Sequence, residues 1–460
     1  MAENNRFDVL IIGGGQAGIP LAHELAKVGK RVALAEEKHL GGSCINFGCT
    51  PTKAVIASAH LAQLARRAKE FGLRIPAVEV DFPAVLDRAR QISQEYRADL
   101  HKRFENTDNP KLLGGHARFI GREQGAFRLV VGDDLVIAEQ VVIDTGTRST
   151  VAQIEGLDRT SFICAENWLE STELPQHLVM IGGGYIGLEM SQFYRRMGSK
   201  VTVIEEGGQV ASHEDEDVAS ALQDLLAREG IDFRLKTKVR RVERNDASVS
   251  VLVEMANQSS EIQATDLFVA TGRTPNTEEL GLETVGVKVS ERGIVEVDRR
   301  LATSAPGVWA AGDIRGGPMF THTSWDDYRI LLSQIAGDGA RTTERIVPYA
   351  IFTEPQLGRV AMTENEARKT GREVKVARFE MKDNSKAKEF GETEGFIKVV
   401  ADAKTNQILG AAVLAAEGAE LVHMYVDLMN AGAPYTVIRD AIHIHPTLAE
   451  AIQSAVQEFD

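Results

Sequence analysis

The sequence predicts an α/β fold made of two parallel-sheet units of one design, with a separate α+β region after them. Three observations carry this. A short apolar run, a glycine triplet, a helical stretch and a second apolar run occur in that order twice. The two copies are offset by 169 residues and share one internal spacing. From about Arg345 onward, strand-like and helix-like pieces alternate without a glycine triplet. A length of 460 residues fits about three domains at a prior of ~150 residues each.

In the first unit Asp8–Ile12 reads as a buried strand and Gly13-Gly14-Gly15-Gln16-Ala17-Gly18 as a turn. Ile19–Val28 reads as a helix stopped by Gly29, and Arg31–Glu36 as the next strand. Ser58–Phe71 and Pro83–Arg103 read as further helices, and Val141–Gly146 closes the unit with a strand-to-glycine turn. In the second unit His177–Ile181 is the strand, Gly182-Gly183-Gly184-Tyr185-Ile186-Gly187 the turn and Leu188–Met197 the helix, stopped by Gly198. Lys200–Glu205 is its second strand, and Leu267–Gly272 closes it. Val308–Asp313 is a third strand-to-turn segment. Beyond Arg345, strands are expected at Gly395–Val400 and Ile408–Val413, and helices at Glu417–Ala431 and Leu448–Glu458.

Composition narrows the function classes. The 52 basic and 66 acidic residues give a net charge of −14, opposite to the basic surface of a nucleic-acid binder. Three cysteines are too few for a disulfide-stapled secreted scaffold. Met1–Leu10 carries Glu3, Arg6 and Asp8, which is not a secretory signal. The longest uncharged stretch, Val9–Ala22, is about fourteen residues and glycine-rich, short of the ~18 a membrane helix needs. No membrane segment is expected, and a cytoplasmic location with reduced thiols is the default.

The glycine turns carry phosphate chemistry. A pyrophosphate needs backbone amides that approach closely, which excludes side chains. Gly13, Gly15 and Gly18 have the G-x-G-x-x-G spacing, as do Gly182, Gly184 and Gly187, and each set opens a helix whose N-terminus favours an anion. In both copies an acid stands 23 residues after the first glycine, Glu36 and Glu205, where it can accept hydrogen bonds from ribose hydroxyls. One such turn alone can be merely a tight turn; two in strand–turn–helix context indicate two Rossmann-like dinucleotide sites. Glu205 is followed by Glu206, and the next basic side chain other than His213 is Arg228. Carboxylates repel a 2′-phosphate, so NADH is favoured over NADPH unless a base such as Arg195 or Lys200 intervenes.

Between the units lies Gly41-Gly42-Ser43-Cys44-Ile45-Asn46-Phe47-Gly48-Cys49-Thr50-Pro51-Thr52-Lys53. A short Cys-x4-Cys loop with glycines can bring its sulfurs together. Thr50 and Pro51 read as N-cap and first residue of a helix, which places Cys49 where a thiol pKa is lowered, with Lys53 adding positive charge. Two small residues near one another by chance is the plainer alternative. Cys164 has no such setting and reads as a small packed residue. Near the C-terminus, His443-Ile444-His445-Pro446-Thr447-Leu448-Ala449-Glu450 offers His445 with a carboxylate, suited to proton transfer near neutral pH. Thr447 to Glu450 also reads as a helix capping box, with His445 an ordinary structural residue.

Taken together, GGSCINFGCTPTK, the two glycine fingerprints, the Gly-Asp turn and HPTLAE resemble the FAD-dependent pyridine nucleotide–disulfide oxidoreductases. That family includes dihydrolipoamide dehydrogenase, glutathione reductase and mercuric reductase. The resemblance runs over nearly the whole chain. It implies an FAD-binding domain over 1–150 and 275–344, an NAD-binding domain over 151–274 inserted into it, and a dimerisation domain over 345–460. It implies that Gly13, Gly15, Gly18, Glu36, Gly146 and Asp313 hold FAD, and that Gly182, Gly184, Gly187, Glu205 and Gly272 serve NAD. Cys49 would face the flavin and Cys44 would exchange with substrate, as a redox-active disulfide. Lys53 and Glu189 match an ion pair near the flavin, Tyr185 a gate over the nicotinamide, and His445 with Glu450 an acid–base pair that reaches the other subunit of a homodimer. His322 is expected near the flavin.

The implied activity passes electrons between NAD(P)H and a small thiol or disulfide through FAD and the Cys44–Cys49 pair. The alternative is a mercuric-reductase-like reductase of Hg(II) or Cu(II), suggested by the stretches around Phe320–Arg329 and Pro348–Pro355. Against it, the chain end Val456–Asp460 has no cysteine pair, and the HPT base is foreign to true mercuric reductases. A third reading is a non-catalytic redox-sensing flavoprotein. No resident metal and no nucleic-acid partner are expected. Departures from the family pattern are Ser43 for Thr, Thr52 for Ser, and Asp144 for the Ala of an Ala-Thr-Gly turn.

Overall fold

The computed structural model describes residues 5–245 and 248–459. Glu3 and Asp460, named above at the chain ends, lie outside the described residues. The first sheet contains β1 (Arg6–Ile12), β2 (Val32–Glu36), β3 (Lys111–Gly114), β4 (Ala117–Glu123), β5 (Ala126–Val131) and β6 (Asp134–Ile143), in the order β3-β2-β1-β6-β5-β4. β1 runs parallel to both neighbours, with Ile12 opposite Ala35 and Ile143. That register brings Gly13, Glu36 and Asp144 to one edge of the sheet. Val9, Leu10 and Ile11 are no more than 1% exposed. A strand covered on both faces reads as a continuous apolar run, which is why it was legible.

α1 (Gly18–Lys27) and the helix Thr321–Ala336 share a core of Ile11, Leu21, Leu25, Ile330 and Leu331. Each such burial contributes about 1.5–3 kcal/mol, enough to hold the N-terminus of the second helix near the glycine edge. The strand Val308–Ala310 joins the same sheet parallel to β6. The chain therefore returns to the first sheet after building a second. Its exit and return are zipped together, Thr147–Ser149 pairing antiparallel with Arg273–Pro275.

The second sheet has four parallel strands, in the order Ile231–Arg234, Lys200–Ile204, His177–Ile181, Asp266–Val269. Ile181 lies opposite Ile204 and Val269, which sets Gly182, Glu205 and Ala270 at one edge, as in the first unit. A meander of Thr237–Asn245, Ser248–Met255 and Gln258–Ala264 follows, which the pattern did not indicate. Its last strand is almost wholly polar and exposed, so it carries no hydrophobic alternation. The C-terminal region is a five-stranded antiparallel sheet with helices, among them Glu450–Gln457, which buries Ala451, Ile452, Ala455 and Val456 completely. This is the α/β plus α+β architecture expected.

α2 (Gly42–Asn46), α3 (Cys49–Arg67), α4 (Phe82–Glu105) and α5 (Tyr185–Met197) converge on the cysteine loop. α3 corrects two expectations. The helix runs from Cys49 and gives way to a 3-10 turn at Ala68–Phe71, instead of spanning Ser58–Phe71. Its N-cap is Gly48, not Thr50, because the Gly48 carbonyl already accepts the Thr52 amide at 3.0 Å. Pro51 is tolerated because the first turn needs no amide donor there. The expected helix Glu417–Ala431 is split into Gly418–Leu421 and His423–Asn430.

Candidate active site

The two glycine turns are built alike. In the first, Gly13 has φ +108° and a side-chain carbon there would overlap the Asp144 carbonyl; one on Gly18 would overlap the Gly13 carbonyl. In the second, Gly182 has φ +109° against the Ala270 carbonyl, and Gly187 abuts the Gly182 carbonyl. Only glycine meets both demands. Glu36 Oε2 accepts the Gly14 amide at 2.7 Å and Oε1 the Lys38 amide at 2.8 Å. Glu205 Oε2 accepts the Gly183 amide at 2.7 Å and Oε1 the Gly207 amide at 2.7 Å. The acids thus brace the turns, with further lone pairs on each carboxylate to meet a ribose.

One difference separates the copies. Gly184 opens onto free space, whereas Gly15 abuts the Asp144 carboxylate, whose Oδ2 also accepts the Gly18 amide at 2.8 Å. Burial pushes the Asp144 carboxyl well above the usual carboxylate range; Asp313 and Asp327 push the same way, and the Gly18 amide opposes them. An acid with a raised folded pKa stabilises the fold below its unfolded pKa, and that contribution is lost as pH rises through the folded value. Asp144→Asn is therefore expected to flatten the alkaline decline of Tm in FAD-saturated protein. Melting scans of both proteins from about pH 5 to 9 check this, and parallel curves would contradict it.

A cleft of about 1320 Å³ runs from the first glycine turn to the cysteine loop. Gly13, Glu36, Cys44, Cys49, Lys53, Gly146, Tyr185, Glu189 and Asp313 all line it. Its length, its glycine cradle at a helix N-terminus and its sulfur end fit FAD. Asp313 faces it with Oδ2 accepting the Thr147 hydroxyl at 3.2 Å. Gly272 does not line this cleft; its carbonyl accepts the Thr150 amide in the paired linker at 2.9 Å.

Both cysteines of the loop are free thiols in this structure, Cys44 half-buried and Cys49 facing the cleft. Cys49 is drawn down to about 6, first by the hydrogen bond from Cys44, against burial, and then by the Thr321 hydroxyl and Lys53. Its Sγ lies 3.2 Å from Thr321 Oγ1. Its place as the first residue of a 19-residue helix adds the helix field. The Cys44 thiol is pushed up, foremost by its hydrogen bond with Cys49 and next by burial. The charge of the pair therefore sits on Cys49, and Cys44 needs a base to ionise. Cys164 is half-buried and its thiol is pushed up by burial, as a packed bystander.

Behind Cys49, Lys53 Nζ pairs with Glu189 Oε2 at 2.8 Å. Glu189 is 4% exposed, and its Oε1 accepts the Phe352 amide at 2.9 Å. Lys53 also sits 4.3 Å from the centre of the Phe352 ring. One ion pair thus locks α3, α5 and the C-terminal region together. The Tyr185 ring lies 6.0 Å from Phe320, which stacks on Tyr349 and on His322. His322 lines the cleft and meets the Pro348 carbonyl at 2.6 Å.

His445 and Glu450 pair, Nδ1 to Oε1, at 3.0 Å, but neither lines the cleft. Glu450 Oε2 takes the Thr447 amide at 2.8 Å. The capping box is therefore half made: Thr447 donates its hydroxyl to Ile444, and the helix starts at Glu450. His445 is 69% exposed, and its neighbours Ile442 and Ile444 are 101% and 79% exposed.

The bases considered for a 2′-phosphate are engaged elsewhere. Arg195 Nε donates to the Glu229 carbonyl at 2.7 Å, and Lys200 begins its strand, at the end opposite the turn. Lys236, which spacing did not flag, comes beside Gly208. Thr321, Arg273 and Trp168, all lining the cleft, were also missed. Arg273 and Trp168 come from distant segments and belong to no motif, and Thr321 lies in the Phe320–Arg329 stretch, whose spacing carries no sign of its nearness to Cys49.

Residues 7–327 match the pyridine nucleotide-disulphide oxidoreductase family, and residues 347–456 match its dimerisation domain. The chain belongs to that family: it is a flavin-dependent enzyme that uses pyridine nucleotides, with a disulfide-reductase-like function. Among its relatives, it is 35% identical to the probable pyridine nucleotide-disulfide oxidoreductase RclA of Escherichia coli, over 97% of this chain and 98% of that protein. It is 33% identical to the dihydrolipoyl dehydrogenase of Cupriavidus necator, over 99% and 98%. A solved structure, the Cu(II) complex of the HOCl-induced flavoprotein disulfide reductase RclA from E. coli, superposes with a TM-score of 0.89 at 33% identity, covering 98% of this chain and 99% of that one. The dimerisation domain supports a homodimer. Among the described residues no helix is long and apolar enough to cross a membrane.

Proposed function

We propose that this enzyme uses NADH to reduce a small disulfide through the Cys44–Cys49 pair. The observation that carries the reading is Cys49 at the N-terminus of α3, held as thiolate by Cys44, Thr321 and Lys53, in the cleft that begins at the first glycine turn. Gly13, Gly15, Gly18 and Gly146 would cradle FAD and Glu36 and Asp313 would meet it, and the bound cofactor would supply two-electron transfer between the nucleotide and the disulfide. Gly182, Gly184, Gly187 and Glu205 hold the nucleotide, with Tyr185 at its entrance. Glu205 and Glu206 face Lys236 at the ribose edge, and Arg240, which also lies in the field of Glu206, is bound to Glu254, so NADH is preferred. The division of the chain into 1–150, 151–274, 275–344 and 345–460 follows the paired linker and the return of Val308–Ala310 to the first sheet.

The residues act in sequence. The Cys44 thiol gives its proton to a base and attacks one sulfur of the substrate disulfide; the other sulfur leaves and takes that proton. Cys49 thiolate then attacks Cys44, re-forming the pair's disulfide and expelling the second substrate thiol. The sum is disulfide, NADH and a proton going to two thiols and NAD+. The base is the partner subunit's His445, oriented by Glu450. The exposed Ile442 and Ile444 beside His445 support seating of this loop on a second copy. Turnover that consumes NADH and needs reduced thiols suits a cytoplasmic location.

A second reading, reduction of Cu(II) or Hg(II), is favoured by the RclA structure described as a Cu(II) complex. In that reading the ion would enter as substrate at the sulfurs of Cys44 and Cys49. The test is NADH oxidation with lipoamide, glutathione disulfide, Cu(II) and Hg(II) in parallel. Steady turnover with a disulfide is expected. Turnover with metal ions alone replaces the first reading by the second, and none with any acceptor favours a sensor.

A further inference from the structure

The cysteine loop is held from a side that no motif announces. Trp168 Nε1–H donates to the Phe47 carbonyl at 2.8 Å. Trp168 is 1% exposed and packs edge-on to Phe193 at 6.3 Å, in one core with Val55 of α3 and Leu86 of α4. Phe47 follows α2 as its C-cap, and the Phe47 and Gly48 amides both turn back to the Ser43 carbonyl, at 3.1 and 2.7 Å. Gly48 has no room for a side chain against that same carbonyl. The Phe47–Gly48 peptide, immediately before Cys49, is therefore pinned by Ser43 inside the loop and by Trp168 outside it.

Trp168 stands on a braced strut. Asn167 bonds the Cys164 amide and the Phe162 carbonyl at 2.7 and 3.0 Å. Glu166 accepts from the Ser149 amide and Arg273 in the paired linker, at 2.9 and 3.1 Å. Arg90 of α4 donates to the Leu169 and Ser171 carbonyls at 2.8 and 3.0 Å. Cys44, by contrast, rides on five-residue α2, which follows Gly41 in a left-handed conformation. Cys49 thus opens a 19-residue helix, while Cys44 sits on a five-residue turn held by Gln16 at Gly41 and by Asn46 at Leu40 and Gly42.

We propose that Trp168 is a positioning residue for the sulfur pair: its indole N–H holds Cys49 stationary, so that making and breaking the sulfur–sulfur bond is carried by Cys44. The proposal rests on the redox reading of Cys44 and Cys49. Cleaving that bond takes two electrons and one proton and leaves the Cys44 thiol and the Cys49 thiolate. The indole exchanges neither; it acts only through the Phe47–Gly48 peptide.

The test compares native protein with Trp168→Phe, both FAD-loaded, titrated anaerobically with NADH. The variant keeps an aromatic ring in the core and loses the donor, together with the volume of the second ring. Its long-wavelength thiolate–flavin absorbance is expected to fall at least about twofold. Its thiol–disulfide equilibrium against a reference dithiol is expected to stay within about twofold of native, because a hydrogen bond kept in both redox states cancels from that equilibrium. A variant with native absorbance overturns the proposal alone. Absence of the absorbance from native protein overturns the redox reading and the proposal with it. If the variant does not fold, solvent exchange of the Trp168 indole N–H, followed by NMR in native protein, decides. Protection in both oxidised and reduced states is expected, and its loss in either overturns the proposal.

Discussion

Cys49→Ser is expected to abolish the long-wavelength thiolate–flavin absorbance of the NADH-reduced enzyme and to cut disulfide turnover by about 10⁴-fold or more, the scale on which removing a covalent nucleophile acts. Cys44→Ser is expected to lose turnover equally while keeping the absorbance, because the charge sits on Cys49. The asymmetry follows from position. Cys49 opens α3 and meets Thr321 and Lys53, while Cys44 faces the negative sulfur of its partner. The absorbance of the reduced native enzyme is expected to fade as pH falls through about 6, where Cys49 takes up its proton. Spectra of the three proteins, recorded anaerobically across that range, read all of this. A band that survives in Cys49→Ser, or disappears only in Cys44→Ser, reverses the assignment of the two sulfurs.

His445→Ala is expected to lower turnover by about 10²- to 10⁴-fold, the usual worth of a positioned general acid or base. Reduction of the bound disulfide by NADH is expected to proceed as in native protein, since His445 does not line the flavin cleft of its own chain. Rapid-mixing measurements separate the two half-reactions. Equal loss in both would place His445 in the structure and not in proton transfer. Glu450→Gln should show the same pattern more weakly, because the Thr447 amide continues to hold its side chain in place. A mixed dimer of His445→Ala and Cys44→Ser subunits adds a stringent check. One of its two composite sites keeps both native residues, so it should regain about half the native rate. No recovery would contradict a site shared between subunits.

Much of the architecture was legible because its constraints are local. Gly13 and Gly182 need positive φ, Gly18 and Gly187 have no space for a side chain, and the flanking strands are apolar throughout because helices cover both faces. The polar strand Gln258–Ala264 escaped notice for the converse reason, having one neighbour and almost no buried face. The start of α3 was misplaced because Thr50 and Pro51 form a familiar opening, while the backbone of Gly48 had already supplied the first acceptor.

The sequence by itself determined the two dinucleotide turns, the acid after each, and the two sulfurs five residues apart, because in each the signal lies within one short unit of chain. The sequence already placed the lowered thiol at Cys49, beside a helix start and Lys53; the tertiary structure added the Thr321 hydroxyl, 272 residues away, and the Phe352 amide that holds Glu189 against Lys53. It alone made Asp144 a buried acid beneath the first glycine turn and set Trp168 against the cysteine loop. Hydrogen bonds and burial act over a few ångströms of space, whatever the distance along the chain.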